Sequence, residues 1–550
     1  MSTPIPRPSK KARKAEIAAA QTPLKAELQD APSVLVEFVD PHGQAVTVDA
    51  SSGAGTSTGA IRIPSNLDSE ALALLVNTLK GEKDEPYPYS FHIVLPASAS
   101  AGPDEQERIP LEQSIYQTIL QSQAAVASVK GKQTAKRGLS TEDTLRIVCQ
   151  PEALFRVRPI NRNSSSLSGH GAPILCAAFS PTGKWLATGS GDFTARIWDL
   201  STETPRFTLG GPAQSTGEGA TTTTGHRGWV LCVEWDPLER FLATGSHDNT
   251  VRIWSPATGK QVGEPLRGHS KWITSLAWEP LHLSGEGVRL ASSSKDSTVK
   301  IWNATAGRLE NTLGGHTASV NVVRWSGTGL IITASSDRTI RLWKDGKTVR
   351  VLSEHAHWVT TMALNTDFIL RTGPFDPVGP TPANETEART MAKDRYARFV
   401  ATKEELLISG SDDHTLFLWT LSESAPNPKK PLARLTGHQK QVNHVAFSPD
   451  GNQIASASFD NSVKLWQGDT GKFIASLRGH VAPVYRVSWS ADSRMLISAS
   501  KDSTLKLWNL KTHKIRVDLP GHTDEVYCVD FVADKVASGG RDQQVKIWRN

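Results

Sequence analysis

From residue 169 to residue 548 the chain is written in short apolar runs rich in Val, Ile, Leu and Trp, broken by Gly, Asp, Ser and Thr. Runs of this kind predict β-strands, and the breaks predict the turns between them. One unit recurs eight times. A His opens it (His170, His226, His269, His316, His355, His438, His480, His522), preceded by Gly except at His355, which follows Glu354. Four positions later stands a β-branched residue, from Ile174 in the first unit to Val526 in the last, which suits the start of a buried strand. An aspartate follows (Asp192, Asp248, Asp296, Asp337, Asp413, Asp460, Asp502, Asp542). Four positions before it is a hydroxyl residue (Thr188, Thr244, Ser292, Thr333, Ser409, Ser456, Ser498, Ser538). Six positions after it is a Trp (Trp198, Trp254, Trp302, Trp343, Trp419, Trp466, Trp508, Trp548). Self-similarity at a period of ~40 residues, with His early and Trp late, predicts the four-stranded blades of a β-propeller. Eight units give eight blades over residues 151–550.

The four marked residues of each unit can satisfy one another's hydrogen bonds. A buried polar group left unpaired costs about 1–3 kcal/mol, so such a network holds a blade only when complete. His, Ser and Asp together also suit a hydrolase, but catalysis needs one special pocket, and this trio appears eight times beside a Trp. The structural reading is the stronger. The chain ends two residues after Trp548, so the last unit lacks an outermost strand, and the stretch LFRVRPINRNSSSLS ahead of Gly169 is expected to supply it. Such closure removes exposed sheet edges.

Ahead of the repeats the pattern changes. SVLVEFVD (33–40) alternates as a strand, and a short strand AIRIP follows. DSEALALLVNTLKG has apolar residues at helical spacing between a capping Asp68 and Gly81. A strand YSFHIVL, a short helix LEQSIYQTIL and a last strand DTLRIVC complete the region. Two strands, helix, strand, short helix, strand is the order of a ubiquitin-like β-grasp domain, placed over 31–150. The loop before its last strand turns acidic at Glu142 and Asp143, and the apolar TLRIVC that follows argues for an exposed loop carboxylate over a helix cap.

Three units place a Trp three positions after the opening His: Trp229, Trp272 and Trp358. Residues there face one mouth of the ring, and large aromatics serve as interface anchors. Lys295, Lys501 and Arg541, each one position before the turn Asp, are candidates to meet phosphate or acidic protein beside them. The fifth unit is enlarged. Its excess, at about 371–405, opens with the Pro/Gly loop RTGPFDPVGPTPAN and continues as ETEARTMAKDRYARFVATKEE, rich in helix formers. A partner-binding helix is expected there. A second added loop, GPAQSTGEGATTTT at 211–224, is low in apolar residues and reads as disordered.

Composition narrows the class. The formal charge is +6, and the first 30 residues hold six Lys/Arg against three Asp/Glu. This basic tail, with Lys10, Lys11, Arg13 and Lys14 clustered in PRPSKKARK, is read as disordered, a nuclear import signal or a weak phosphate contact. The near balance elsewhere argues against bulk electrostatic DNA binding. Cys149, Cys176, Cys232 and Cys528 show no paired or metal-ligand spacing, so no disulfide is expected and a reducing, intracellular compartment is implied. No apolar stretch reaches the ~18 residues of a membrane span.

The text between the marked residues resembles one family, Notchless, also called ribosome assembly protein 4. The resemblance covers nearly the whole chain and rests on IPRPSKKARK, STEDTLRIVCQPEALFRVRPI, GHSKWITSLAWEPLHL, SSSKDSTVKIW, HAHWVTTMALNTDFILRTGPFD, GHQKQVNHVAFSPDG and the eight-repeat count. It implies a mainly β protein: an eight-bladed WD40 propeller seated on the maturing large (60S) ribosomal subunit in the nucleus and nucleolus, preceded by the ubiquitin-like domain. That domain is implied to dock on the metal-ion-dependent adhesion site of the AAA ATPase midasin. In the family an acidic residue of the final loop completes the partner's Mg²⁺ coordination, and Glu142 is the matching position, with Asp143 its rival. No enzyme activity and no metal of its own are expected. The competing class is a scaffold for signalling or for ubiquitin-ligase substrate capture.

Overall fold

The computed structural model describes residues 33–39, 61–65, 67, 69–79, 89–94, 108–111, 115, 145–151, 157 and 160–550, apart from 211–224, 286, 377–380 and 423–426. The chain divides into two compact units, Met1–Leu154 and Phe155–Asn550. The first contains β1 (Ser33–Val39), β2 (Ile61–Pro64), α1 (Ser69–Leu79), β3 (Tyr89–Val94), β4 (Arg108–Pro110) and β5 (Leu145–Pro151). Its sheet order is β2-β1-β5-β3-β4, with β1 and β5 parallel and the other pairs antiparallel. A parallel pair made by the first and last strands at the sheet's centre, with one helix packed on a face, is the β-grasp arrangement. Alternation along β1 turns Val34, Val36 and Phe38 into a core with Leu72 and Val76 of α1 and Ile147 of β5. The sequence pattern does not announce β4, which is three residues long and ends at Pro110. Proline lacks the N–H for a central strand but is tolerated at an edge, where β4 lies. The short helix expected over LEQSIYQTIL is described only at Leu111 and Ile115, and the tail 1–30 and the loop bearing Glu142 lie outside the described residues.

The second unit is a propeller of eight sheets, one per repeat. Seven have four hydrogen-bonded strands among the described residues. In blade 2 only three strands form, and the bridges Val251↔Leu266 and Trp254↔Gln261 stand for the fourth. Between those bridges Gly263 adopts φ 67°, a left-handed conformation that interrupts the ladder. Blade 8 takes its outer strand from Arg162–Leu167, which pairs antiparallel with Val545–Arg549 and closes the ring as the repeat count predicts.

Each inner strand begins at its β-branched residue, fully buried from Ile174 to Val526. Immediately after, a bulge in the pairing with the second strand frees one residue, as between Val320/Val322 and Val359/Thr361. A bulge re-aims its side chain, here toward the next blade. Thr274 donates to Val320 O at 2.6 Å, Asn321 to Val359 O at 2.8 Å, Thr360 to Val442 O at 2.6 Å and Asn443 to Val484 O at 2.8 Å. Five consecutive blades, 3 to 7, are thus laced side chain to backbone. At the other end of the inner strands Trp235, Trp278 and Trp489 donate their indole N–H to Ala178 O, Glu234 O and Ala446 O of the preceding blade, at 2.9, 3.0 and 3.1 Å.

The enlarged fifth repeat departs from expectation in its use. After its inner strand (Val359–Leu364) come α2 (Asp367–Thr372), whose last two residues open the expected Pro/Gly loop, and α3 (Glu385–Thr402). Composition suggests a helix held out for a partner, but the small-residue side of α3 is already occupied. Ala388 and Ala392 are buried with Leu281 and beside Leu238, from the loops that follow the inner strands of blades 3 and 2. Tyr396 stacks on His282 at 4.7 Å, Glu385 pairs with Arg240 at 2.7 Å, and Lys403 reaches Asp450 O at 2.8 Å. Short side chains let the helix lie close over those loops, so α3 braces blades 2, 3 and 6 on one face, here called the bottom.

The inner strands and α2 line a central cavity of about 440 Å³. From α2, Arg371 crosses to Asp530 on the inner strand of blade 8, at 3.1 Å. Asp530 also accepts the backbone N–H of Phe179 in blade 1 at 2.9 Å and the Ser488 hydroxyl of blade 7 at 3.3 Å. One carboxylate therefore ties the junction between the last and first blades to an insertion in blade 5.

Candidate partner-binding face

The marked residues form the same construction in all eight blades. His Nδ1 lies 2.7–3.1 Å from Asp Oδ2. His Nε2 lies 2.7–2.9 Å from the Ser or Thr Oγ. The Trp indole N–H donates to that same oxygen at 2.8–2.9 Å. In blade 1 these are His170, Thr188, Asp192 and Trp198; in blade 2, His226, Thr244, Asp248 and Trp254. A neutral His with its proton on Nδ1 satisfies every group. The hydroxyl residues are 0 % exposed from Thr188 to Ser538, so none can meet a substrate.

Electrostatics follow from this geometry. Burial alone would raise the Asp192 carboxyl, but hydrogen bonds from His170 and Thr194 outweigh it and hold the group far below the usual carboxylate range. The Thr or Ser two positions after the Asp supplies this second hydroxyl in seven blades, a regularity visible in the sequence once the turns are aligned. In blade 8 the place is taken by Gln544, which gives only its backbone N–H to Asp542. The residue between is left-handed in every blade, from Phe193 (φ 70°) to Gln543 (φ 63°). The aspartate that accepts from both neighbours offsets this strain.

The tetrads fix the top face, where the inner strands begin. The residue before each turn Asp donates its N–H to the carbonyl of the residue before the inner strand: His247 to Trp229 at 2.9 Å, Lys295 to Trp272 at 3.0 Å, Asp412 to Trp358 at 2.9 Å, Lys501 to Pro483 at 2.9 Å and Arg541 to Glu525 at 2.8 Å. Backbone holds these rim pairs, leaving their side chains free to differ. Trp229 and Trp358 are 53 % exposed and Trp272 38 %. His247 bridges Trp229 (5.9 Å) and Trp272 (4.3 Å), and Lys295 Nζ sits 4.0 Å above the Trp272 ring.

The rim does not bring all six predicted surface residues together. Trp358, on blade 5, keeps company with His357, itself paired with Asp412 at 3.0 Å. Lys501 lies 3.4 Å from Glu525, and Arg541 lies 3.6 Å from Asp524 and 3.9 Å from Glu525. The cations of blades 7 and 8 are therefore partly neutralised from within, which Glu525 at a Trp position could have signalled. Glu142 lies outside the described residues. Among the described residues no group of His, Cys, Asp and Glu side chains is arranged to hold a metal ion, and no disulfide joins any of the four cysteines. Burial pushes the Cys232 and Cys528 thiols up to about 12, so neither is a ready nucleophile.

Comparison with known proteins agrees with this architecture. The WD domain, G-beta repeat family matches residues 161–199, 217–255, 259–303, 307–344, 429–467, 471–509 and 513–549. It passes over the fifth repeat, where 58 residues separate His355 from Asp413 although the tetrad is intact. Ribosome assembly protein 4 of Saccharomyces cerevisiae is 45 % identical over 486 residues, 86 % of this chain and 85 % of that protein. The chain belongs to the Notchless/ribosome assembly protein 4 family. Protein Notchless of Drosophila melanogaster is 43 % identical over 397 residues, 71 % of this chain and 72 % of that protein. Among solved structures, the computationally designed Ika8 protein superposes with a TM-score of 0.54 at 24 % identity, covering 71 % of this chain and all of its own, a likeness of fold alone. What sets this member of the family apart from a bare ring is the braced bottom face and the unequal halves of its top rim.

Proposed function

We propose that the protein is a non-enzymatic ribosome biogenesis factor of the nucleus and nucleolus that couples the AAA ATPase midasin to the pre-60S particle. The observation that carries this reading is the 45 % identity to Ribosome assembly protein 4 across 86 % of the chain, which spans both units. In this scheme the domain over 31–150 docks on midasin's adhesion site, and the propeller over 151–550 grips rRNA and ribosomal proteins. Glu142 supplies an oxygen ligand to a Mg²⁺ ion that the partner holds. Mg²⁺ prefers an octahedron of oxygens and seldom takes all of them from one protein, so a carboxylate delivered in trans suits it. Force from ATP hydrolysis would then pass from the docked domain to the ring and release it with remodelling of the particle.

The test is purification of tagged wild-type protein and Glu142→Ala from cells. Precursor RNA of the large subunit is expected with both proteins, with midasin reduced and pre-ribosomes accumulating for the variant. Undiminished Mg²⁺-dependent midasin binding by Glu142→Ala would remove that residue from the scheme, and Asp143→Ala would be examined in its place. Recovery of ligase or receptor components without ribosomal precursors would favour the signalling or ubiquitin-ligase scaffold instead.

A further inference from the structure

The two halves of the top rim differ in charge. In the loops and turns that make the rim of blades 1–4, the only carboxylates among the described residues are Asp192, Asp248, Asp296 and Asp337, and each is committed to its His. Arg227, Lys271, Lys295 and Arg338 stand exposed among them. The rim of blades 5–8 carries Glu354, Asp412, Asp524 and Glu525 in addition to its tetrad aspartates, against Lys440, Lys501 and Arg541. The exposed aromatics are also unevenly placed. Phe193 (44 % exposed), Trp229 and Trp272 follow one another on blades 1, 2 and 3, with His247 filling the interval between the two indoles.

We propose that the top rim of blades 1–4 is a binding site for single-stranded RNA, with Trp229 and Phe193 as stacking faces and Arg227, Lys271 and Lys295 as phosphate contacts. A cationic surface with interleaved flat rings fits a strand whose bases are unpaired and can be splayed onto aromatics, whereas a duplex keeps its bases stacked internally. Trp272 is held between His247 and Lys295, so it acts as the post that positions both. The rim supplies three or four cations, and the affinity should fall with salt as expected for release of about that many counterions, with a logarithmic slope of roughly −2 to −3. This deepens the pre-ribosome reading by naming the ligand chemistry of one sector, and it is read without midasin, so its failure and that of the Glu142 docking are separable.

The experiment is fluorescence anisotropy with the full-length protein and a labelled unstructured RNA dodecamer, compared with the same sequence as a duplex and with an acidic peptide. Trp229→Ala and the pair Lys271→Glu/Lys295→Glu are expected to weaken single-strand binding by about tenfold or more, a range set by loss of one stacked base or of the phosphate contacts. Trp358→Ala and Lys501→Ala, on the other half of the rim, should leave it unchanged. Thermal unfolding verifies that each variant keeps the wild-type fold, which exposed positions permit. No measurable binding, equal affinity for the duplex, preference for the acidic peptide, or equal losses from the two halves would each overturn the proposal.

Discussion

The top and bottom faces of the ring are built on opposite economies of side chain. On top, backbone hydrogen bonds and the tetrads fix every turn alike, so the rim positions are spare: Trp229 beside His247, Trp272 beside Lys295, Pro483 beside Lys501. At the bottom, side chains do the fastening. Trp235, Trp278 and Trp489 staple neighbouring blades, α3 lies across the loops of several, and Arg371 spans the cavity to Asp530. A surface becomes free to bind when the frame beneath it is satisfied without it. Substitutions should therefore cost stability at the bottom and recognition at the top.

The largest effect is expected at Asp530. Its carboxylate serves Phe179 N–H, Ser488 and Arg371 at once, and Asp530→Ala strands a buried N–H and a guanidinium in the cavity. Losing one partner of a fully buried pair costs about 3 kcal/mol. Because Arg371 keeps a third of its side chain exposed, the loss here should reach about that figure only through the additional stranding of the Phe179 N–H. Arg371→Ala alone should cost less, because Asp530 keeps its donors Phe179 N–H, Phe531 N–H and Ser488, and the double variant should be no worse than Asp530→Ala. Chemical denaturation of the three variants measures this cycle. Additive losses would show that the arginine and the aspartate act independently, and that α2 does not tie the ring junction.

Acid should separate the two regions by pH. In the cavity, burial pushes His444 well below its ordinary value, and Arg486 and Arg324 add to the shift. His226 is also lowered, mainly by burial and against the pull of Asp248. A lowered imidazole contributes stability that is complete above the unfolded value near ~6.5 and is lost as pH falls through the folded one. The tetrad aspartates are likewise lowered, so their contribution holds above the unfolded value near ~3.9 and fades only below it. The unfolding midpoint should decline gently below about pH 6.5 and steeply below about pH 4. His444→Gln should flatten the first decline and leave the second intact. A first decline unaltered by that change would assign it to other histidines.

Legibility in the sequence follows the same division. The tetrads are visible because a closed hydrogen-bond network tolerates no change in residue type and little in spacing, even when the second strand arrives 54 residues after His355. The first unit's main strands are visible by alternation, while β4 is too short and too proline-bound to be. The helical insertion is visible as composition, but its packing side is made of Ala388, Ala392 and Tyr396, which announce no apolar stripe, so its place under the ring is not. Within α2, Arg371 reads as a loop cation and becomes a tie only through a carboxylate 159 residues away. The candidate rim residues are found by position alone; position puts a carboxylate, Glu525, where other blades carry Trp, but only the packing of two blades sets it against both Lys501 and Arg541.

The smallest expected effect tests whether the top turns are as self-sufficient as their geometry implies. Ser503 follows the tetrad Asp502 with φ 63°, a conformation that an L-residue adopts at a cost of about 1 kcal/mol and glycine at almost none. Asp502 holds it there by accepting from Thr504 N–H at 3.0 Å and from the Thr504 hydroxyl at 2.7 Å. Ser503→Gly should therefore raise stability by a few tenths of a kcal/mol to about 1, the relief of strain being partly offset by the greater freedom of glycine in the unfolded chain. Asp502→Ala in the glycine background should cost less than in the serine background, because the carboxylate no longer has a strained neighbour to hold. Equal costs in the two backgrounds would mean that the aspartate's work is confined to His480, and that the left-handed turn is sustained by the strands on either side.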